Sequence, residues 1–117
     1  MSLKSHKTWL LLFYILVMIY ISLKPGDELM FKNIWKYDKV IHFIEYFFLG
    51  FLFLNAMKDN GMNISSWMIT ISFILVFPIF DELIQFYTPT RVADKYDVFA
   101  DIIGGLFGLY CRNKIYD

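Results

Sequence analysis

Residues 64–86 read ISSWMITISFILVFPIFDELIQF, a run of apolar side chains from Ile64 to Phe80 that closes on Asp81, Glu82 and Gln85. Crossing the hydrocarbon of a bilayer takes about 20 apolar residues, with a lower limit near 17. The run meets that length. Three comparable runs flank it, about Trp9 to Leu23, Val40 to Met57 and Val98 to Cys111. The first and last are short, and they reach the required length if Lys7, Lys24, Arg112 and Lys114 extend their charged heads to the headgroups.

Composition agrees with that reading. Of the 117 residues 58% are hydrophobic and 21% aromatic, above the 45 to 50% apolar share usual in a soluble domain. The chain is long enough for one domain and too short for two. The expected fold is therefore an all-α integral membrane protein: one domain over residues 1–117, a compact bundle of four transmembrane helices at about 8–24, 39–57, 64–86 and 97–112. The basic residues before Trp9 resemble a secretory leader, but no small-x-small cleavage site follows, so the first run is expected to stay as a helix.

The connections carry turn chemistry. Pro25-Gly26 and Asn60-Gly61 are turn formers, and Thr88-Pro89-Thr90-Arg91 opens a polar loop that runs to Asp97. Between the first two spans, Met30, Phe31, Ile34 and Trp35 recur at near-helical spacing. They predict a short interfacial helix, with Trp35 and Tyr37 at headgroup level. Cys111 is the only cysteine and makes no internal disulfide.

The charges cancel overall, 11 basic against 11 acidic residues, so nothing points to nucleic acid. Their distribution is uneven. Four spans put the first and third loops on one face, where nine acids meet six bases; the opposite face has two acids and five bases. Lys and Arg alone nearly tie between the faces, so orientation rests on Lys4 and Lys7 beside the first span. They favour cytoplasmic termini.

Most of the unusual polar residues fall on the acid-rich face. On a helix Lys39, His42, Tyr46 and Gly50 share one stripe, and Asp38 lies one turn before His42. Asp81 and Gln85 share a face, as do Glu82 and Gln85, and spacing does not choose between the two acids. Asp97, Asp101, Gly105 and Gly108 share a stripe of the last helix. Gly104-x-x-x-Gly108 has the spacing that lets helix backbones approach closely. Pro78 removes a backbone hydrogen bond and is expected to kink its helix about a turn before Glu82. A carboxylate inside a span costs several kcal/mol unless paired, hydrated or protonated, which makes these acids functional candidates. A structural salt-bridge network with Lys39, His42 and Arg91 is the competing reading.

The ordered set Asp38-Lys39-x-x-His42-x-x-x-Tyr46-x-x-x-Gly50, Glu82-x-x-Gln85-Phe86 leading into Thr88-Pro89-Thr90-Arg91, and Asp97-x-x-x-Asp101-x-x-Gly104-x-x-x-Gly108 resembles the VanZ-like family of small integral membrane proteins. The resemblance covers Asp38 to Gly108. It departs at Asp101, where the family usually has Asn, and at Pro89-Thr90, where it usually has Pro-Gly. It implies a multi-pass protein of the bacterial cytoplasmic membrane, and the family's named member is linked to low-level resistance to the glycopeptide teicoplanin. It also favours Glu82 over Asp81.

The expected binding residues are Asp38, Lys39, His42, Tyr46, Glu82, Gln85, Arg91, Asp97 and Asp101. Two functions fit them. One is a resistance or cell-envelope binding module whose partners are membrane lipids and a lipid-linked cell-wall precursor or glycopeptide. The other is a small membrane enzyme acting on a lipid-linked or headgroup substrate by acid/base chemistry, with His42, Glu82 and Asp97 as catalytic candidates. An ion pathway through the acids ranks third. No cofactor motif is present, and no ligand spacing marks a metal site.

Overall fold

The computed structural model describes residues 5–24, 38–58, 64–89 and 94–116. Within them the chain forms four helices: α1 His6–Leu23, α2 Asp38–Lys58, α3 Ile64–Tyr87 and α4 Lys95–Tyr116. No strand occurs among the described residues. The interfacial helix expected around Met30 to Tyr37 lies outside them.

Local chemistry sets the helix starts. Ser5 caps α1 by accepting the Lys7 amide at 3.1 Å, and Asp94 caps α4 by accepting the Tyr96 amide at 2.9 Å. Such caps satisfy amides that have no intrahelical partner. α3 runs unbroken through Pro78, whose side chain is fully buried.

Three helices, His6–Leu23, Lys39–Lys58 and Ser66–Tyr87, are long and apolar enough to cross a membrane. α4 has 22 residues and is not one of them; Asp97, Asp101, Arg112 and Lys114 dilute its apolar content. It packs along α2 nevertheless, and their interface is the most extensive in the bundle. The molecule is 43 Å along its longest axis, comparable with a bilayer including its headgroups, about 40 to 45 Å.

Glycine makes the α2–α4 contact possible. A Cβ on Gly104 or Gly108 would overlap the backbone carbonyl of Phe43 or Phe47, and one on Gly50 would overlap the carbonyl of Gly105. The two backbones therefore touch, as the small-residue spacing predicts. On the other flank of α2, Phe53, Phe73 and Phe77 stack with centroids 4.6 and 4.9 Å apart. They join α2 to α3, and Leu11 and Met18 of α1 complete that core.

The packing is inverted relative to a soluble domain. Among the described residues as many polar or charged side chains are buried as apolar ones, eleven of each, while Phe13, Leu16, Val76 and Phe86 are exposed. In water that arrangement would forfeit hydrophobic burial and add desolvation cost. In lipid both terms favour it.

Candidate functional site

At one end of the bundle the C-terminal turns of α1 and α3 meet the N-terminal turns of α2 and α4. Each contributes polar side chains. The first to meet are α2 and α4, because the stripe Lys39, His42, Tyr46 faces the stripe Asp97, Asp101 across the glycine contact.

His42 is 3% exposed and lies between two acids that are each 1% exposed. Its Nδ1 is 2.7 Å from Asp101 Oδ1, and its Nε2 is 3.5 Å from Asp97 Oδ2. An ionised carboxylate can only accept, so with Asp101 ionised Nδ1 carries the proton of this contact. Lys39 closes the cluster from its outer rim. Its ammonium donates to Asp97 Oδ1 at 2.6 Å and to Asp94 Oδ2 at 2.8 Å, joining the start of α2 to the start of α4. The Lys39 hydrogen bond, with the Tyr96 amide, holds the Asp94 carboxyl below the ordinary aspartate value of 3.8. Asp94 thus caps one helix and pairs with the next.

A second group forms around α3. Asp81 is 3% exposed; it accepts a short hydrogen bond from the Ser22 hydroxyl of α1 and a 3.0 Å bond from the Tyr46 hydroxyl of α2. Thr88 secures the same corner. Its hydroxyl donates to the carbonyls of Ile84 at 2.6 Å and Ser22 at 3.2 Å. Tyr14 adds a bond from α1 to the backbone carbonyl of Glu45 at 2.6 Å. Gln85 is buried on the face of Asp81.

Glu82 lies between the two groups, within the fields of Asp97, His42 and Asp81, and the Asp94 backbone is close to its carboxylate. Both of its carboxylate oxygens are enclosed, yet neither makes a hydrogen bond of ordinary geometry. Asp101 Oδ2 is in the same condition. Unsatisfied acceptors of this kind carry a desolvation penalty that a donor-bearing molecule would remove.

Lys39, His42, Tyr46, Glu82, Gln85, Asp97 and Asp101 therefore converge at one end. Arg91 lies outside the described residues, as does the side chain of Asp38, the first residue of α2. Asp81, Ser22, Thr88 and Asp94 join the cluster without having been singled out as site residues. Asp81 had a signal, its shared face with Gln85, whereas Ser22 at the end of an apolar run had none. Among the described residues no three His, Cys, Asp or Glu side chains are arranged to hold a metal ion.

The opposite end is built differently. Arg112, expected to extend toward the headgroups, is instead 4% exposed. Its Nε donates to Asn55 Oδ1 at 2.6 Å, because Asn55 offers an acceptor inside the α2–α4 interface. Lys58 donates to Asn113 Oδ1 at 2.7 Å and lies 6.0 Å from the centre of the Trp67 ring.

No curated protein and no solved structure matches the chain. A model of the VanZ/LLP1 family matches residues 3–113, a span that takes in nearly all four helices and every polar residue of the acid-rich end. On that match, and with three helices apolar enough to cross a bilayer, the chain belongs to the VanZ/LLP1 family and is a membrane protein.

Proposed function

We propose that this protein works in the bacterial cytoplasmic membrane, termini inward, as a module that binds the polar part of a cell-envelope component at its acid-rich outer end. The observation that carries this is the Glu82 carboxylate: two enclosed oxygens with no hydrogen bond of ordinary geometry and only the Asp94 backbone close by, beside His42 and Asp97. A purely structural network would spend its acceptors on partners already present, as Asp81 does with Ser22 and Tyr46. Glu82 instead awaits donors from outside. Lipid-linked cell-wall precursors and glycopeptides such as teicoplanin are rich in hydroxyl, amide and ammonium donors, and a resistance role follows if such a molecule is held or displaced at the membrane surface.

The test is binding of labelled teicoplanin and of a lipid-linked precursor to the purified chain in nanodiscs. Saturable binding to one of them, weakened about tenfold by Glu82→Gln, is expected. Absence of saturable binding to both sinks the reading.

A second reading, a small enzyme acting on a headgroup substrate, is favoured by the same carboxylate, which is placed to act as a general base. His42 suits that role less well, since both its ring nitrogens face carboxylate oxygens; it would position Asp97 and Asp101. Turnover of candidate lipids that does not respond to Glu82→Gln or His42→Ala removes this alternative.

A further inference from the structure

Inside the acid-rich end, three of the acids have their charge met by a side-chain donor. Asp81 accepts from the Ser22 and Tyr46 hydroxyls, Asp97 from the Lys39 ammonium at 2.6 Å, and Asp101 pairs with His42 Nδ1 at 2.7 Å. Glu82 is different. Both its oxygens are enclosed without a hydrogen bond of ordinary geometry. Of the groups that bear on it, Asp97 of α4 and Asp81 of its own helix repel its charge, while the Asp94 backbone and His42 of α2 favour it.

The charges of this cluster do not balance. Among its described residues Asp81, Glu82, Asp97 and Asp101 face Lys39 and His42, so full ionisation sets four negative charges against two positive ones. Asp94 draws on the same Lys39 ammonium at 2.8 Å, and Glu45 adds its field at Asp101 and Tyr46. Lys24 and Lys95, of the same end, lie 5.5 and 5.7 Å from the ring centres of Tyr20 and Tyr96 on their own helices. Excess negative charge in a low-dielectric interior is relieved when an acid takes up a proton. The acid that does so is the one whose charge is least compensated.

We infer that Glu82 is a proton-binding site: its carboxyl is protonated in the ligand-free protein, and a ligand bearing a primary ammonium binds by displacing that proton. The Glu82 O–H bond breaks, the proton passes to water, and the ammonium puts its N–H donors and positive charge in the same place, so the net charge of the cluster is unchanged. This rests on the reading of the acid-rich end as a binding site and names its ligand class. A quaternary ammonium brings the charge without N–H donors. A hydroxyl brings a donor without the charge and leaves the proton where it is. Exchange runs through the aqueous rim, where the Lys39 and Asp94 side chains are 45% and 37% exposed and the Asp94 backbone adjoins Glu82.

Infrared spectroscopy of the full chain in nanodiscs, with isotope-labelled glutamate carboxyls, tests it. Glu28, Glu45 and Glu82 are the only glutamates, so a label-shifted carboxylic C=O stretch comes from one of three groups. Near neutral pH that band should be present in the ligand-free protein and absent from Glu82→Gln. A missing band, or one that survives Glu82→Gln, overturns the inference. Asp97→Asn removes the strongest repelling neighbour and should lower the pH at which the band titrates away; an unmoved midpoint contradicts the charge argument. Methylammonium should erase the band at fixed pH while tetramethylammonium at the same concentration leaves it, and an equal response to both, or none to either, overturns the exchange. Of teicoplanin and the lipid-linked precursor, the one whose ammonium is taken should bind about tenfold tighter per unit rise in pH below that midpoint; binding of either without that slope also overturns the exchange. If neither binds, the module reading falls, while the band still decides whether Glu82 holds its proton.

Discussion

The two ends of this bundle solve the burial of charge in opposite ways. At the amide end, Arg112 and Lys58 of neighbouring helices each reach a neutral side-chain amide across the α2–α4 seam, at 2.6 and 2.7 Å. Each of these hydrogen bonds is a rung between α2 and α4. At the acid-rich end all four helices contribute, Lys39, His42 and Asp81 each meet two partners, and carboxylate oxygens remain over. Rungs hold an interface together. On the proposed reading, a mesh with surplus acceptors is arranged for a ligand, and this difference separates a structural polar contact from a candidate site in a bundle where both are buried.

The largest effect is expected where the mesh loses its centre. His42→Ala leaves Asp97 and Asp101 buried together without the ring between them, and should lower stability by about 3–5 kcal/mol, the usual cost of breaking a buried pair from one side. Thermal unfolding in detergent checks it, and a loss under ~1 kcal/mol would mean the mesh is not coupled. Gly108→Ala ranks next. It forces a methyl against the Phe47 carbonyl and should cost about 3 kcal/mol by overpacking, loosening both ends together since both hang on the α2–α4 seam. Arg112→Met tests the rungs. Losing a charged hydrogen bond to Asn55 should cost about 2 kcal/mol while ligand retention at the far end stays at the wild-type level; a change in retention would join the two ends into one device.

The smallest effect concerns pH. The Asp94 carboxyl is held below 3.8 by Lys39 and the Tyr96 amide, so the folded state binds its proton less readily than the unfolded chain. Its contribution is present above 3.8, where the unfolded carboxylate is also ionised, and is lost as pH falls through the lowered folded value. Asp94→Asn should flatten that part of the acid limb and nothing above it, as melting curves between pH 2 and 7 would record.

Much of this was legible in the residues. The expected spans 8–24, 39–57 and 64–86 fall within about two residues of α1, α2 and α3, because in lipid a helix must satisfy its own backbone and its length follows the bilayer. α4 begins earlier and ends later than its apolar run Val98 to Cys111, since Asp94 caps its start and packing on α2 carries its polar ends. The stripe Lys39, His42, Tyr46 follows from helical period alone; its meeting with Asp97 and Asp101 depends on the glycine contact between α2 and α4. Period does not rank Asp81 against Glu82. Both turned out to face the interior, Asp81 satisfied by hydroxyls from α1 and α2, and Glu82 unsatisfied. Ser22 was invisible because a serine closing an apolar run has no partner in its own helix; its role depends on where α3 brings Asp81. Arg112 departs from the expected outward position for a related reason. A long cationic side chain at a span end normally reaches outward, and only the acceptor on Asn55 draws it in.

Replacement of Glu82 by leucine tests the central claim most directly, with stability and ligand retention read on the same preparation. If its carboxylate waits for a ligand, Glu82→Leu removes an unsatisfied buried group; the ligand-free protein should then melt at or above the wild-type temperature while binding is lost. A drop in melting temperature comparable to that of His42→Ala, with binding retained, would contradict the account and make Glu82 one more strut of the fold.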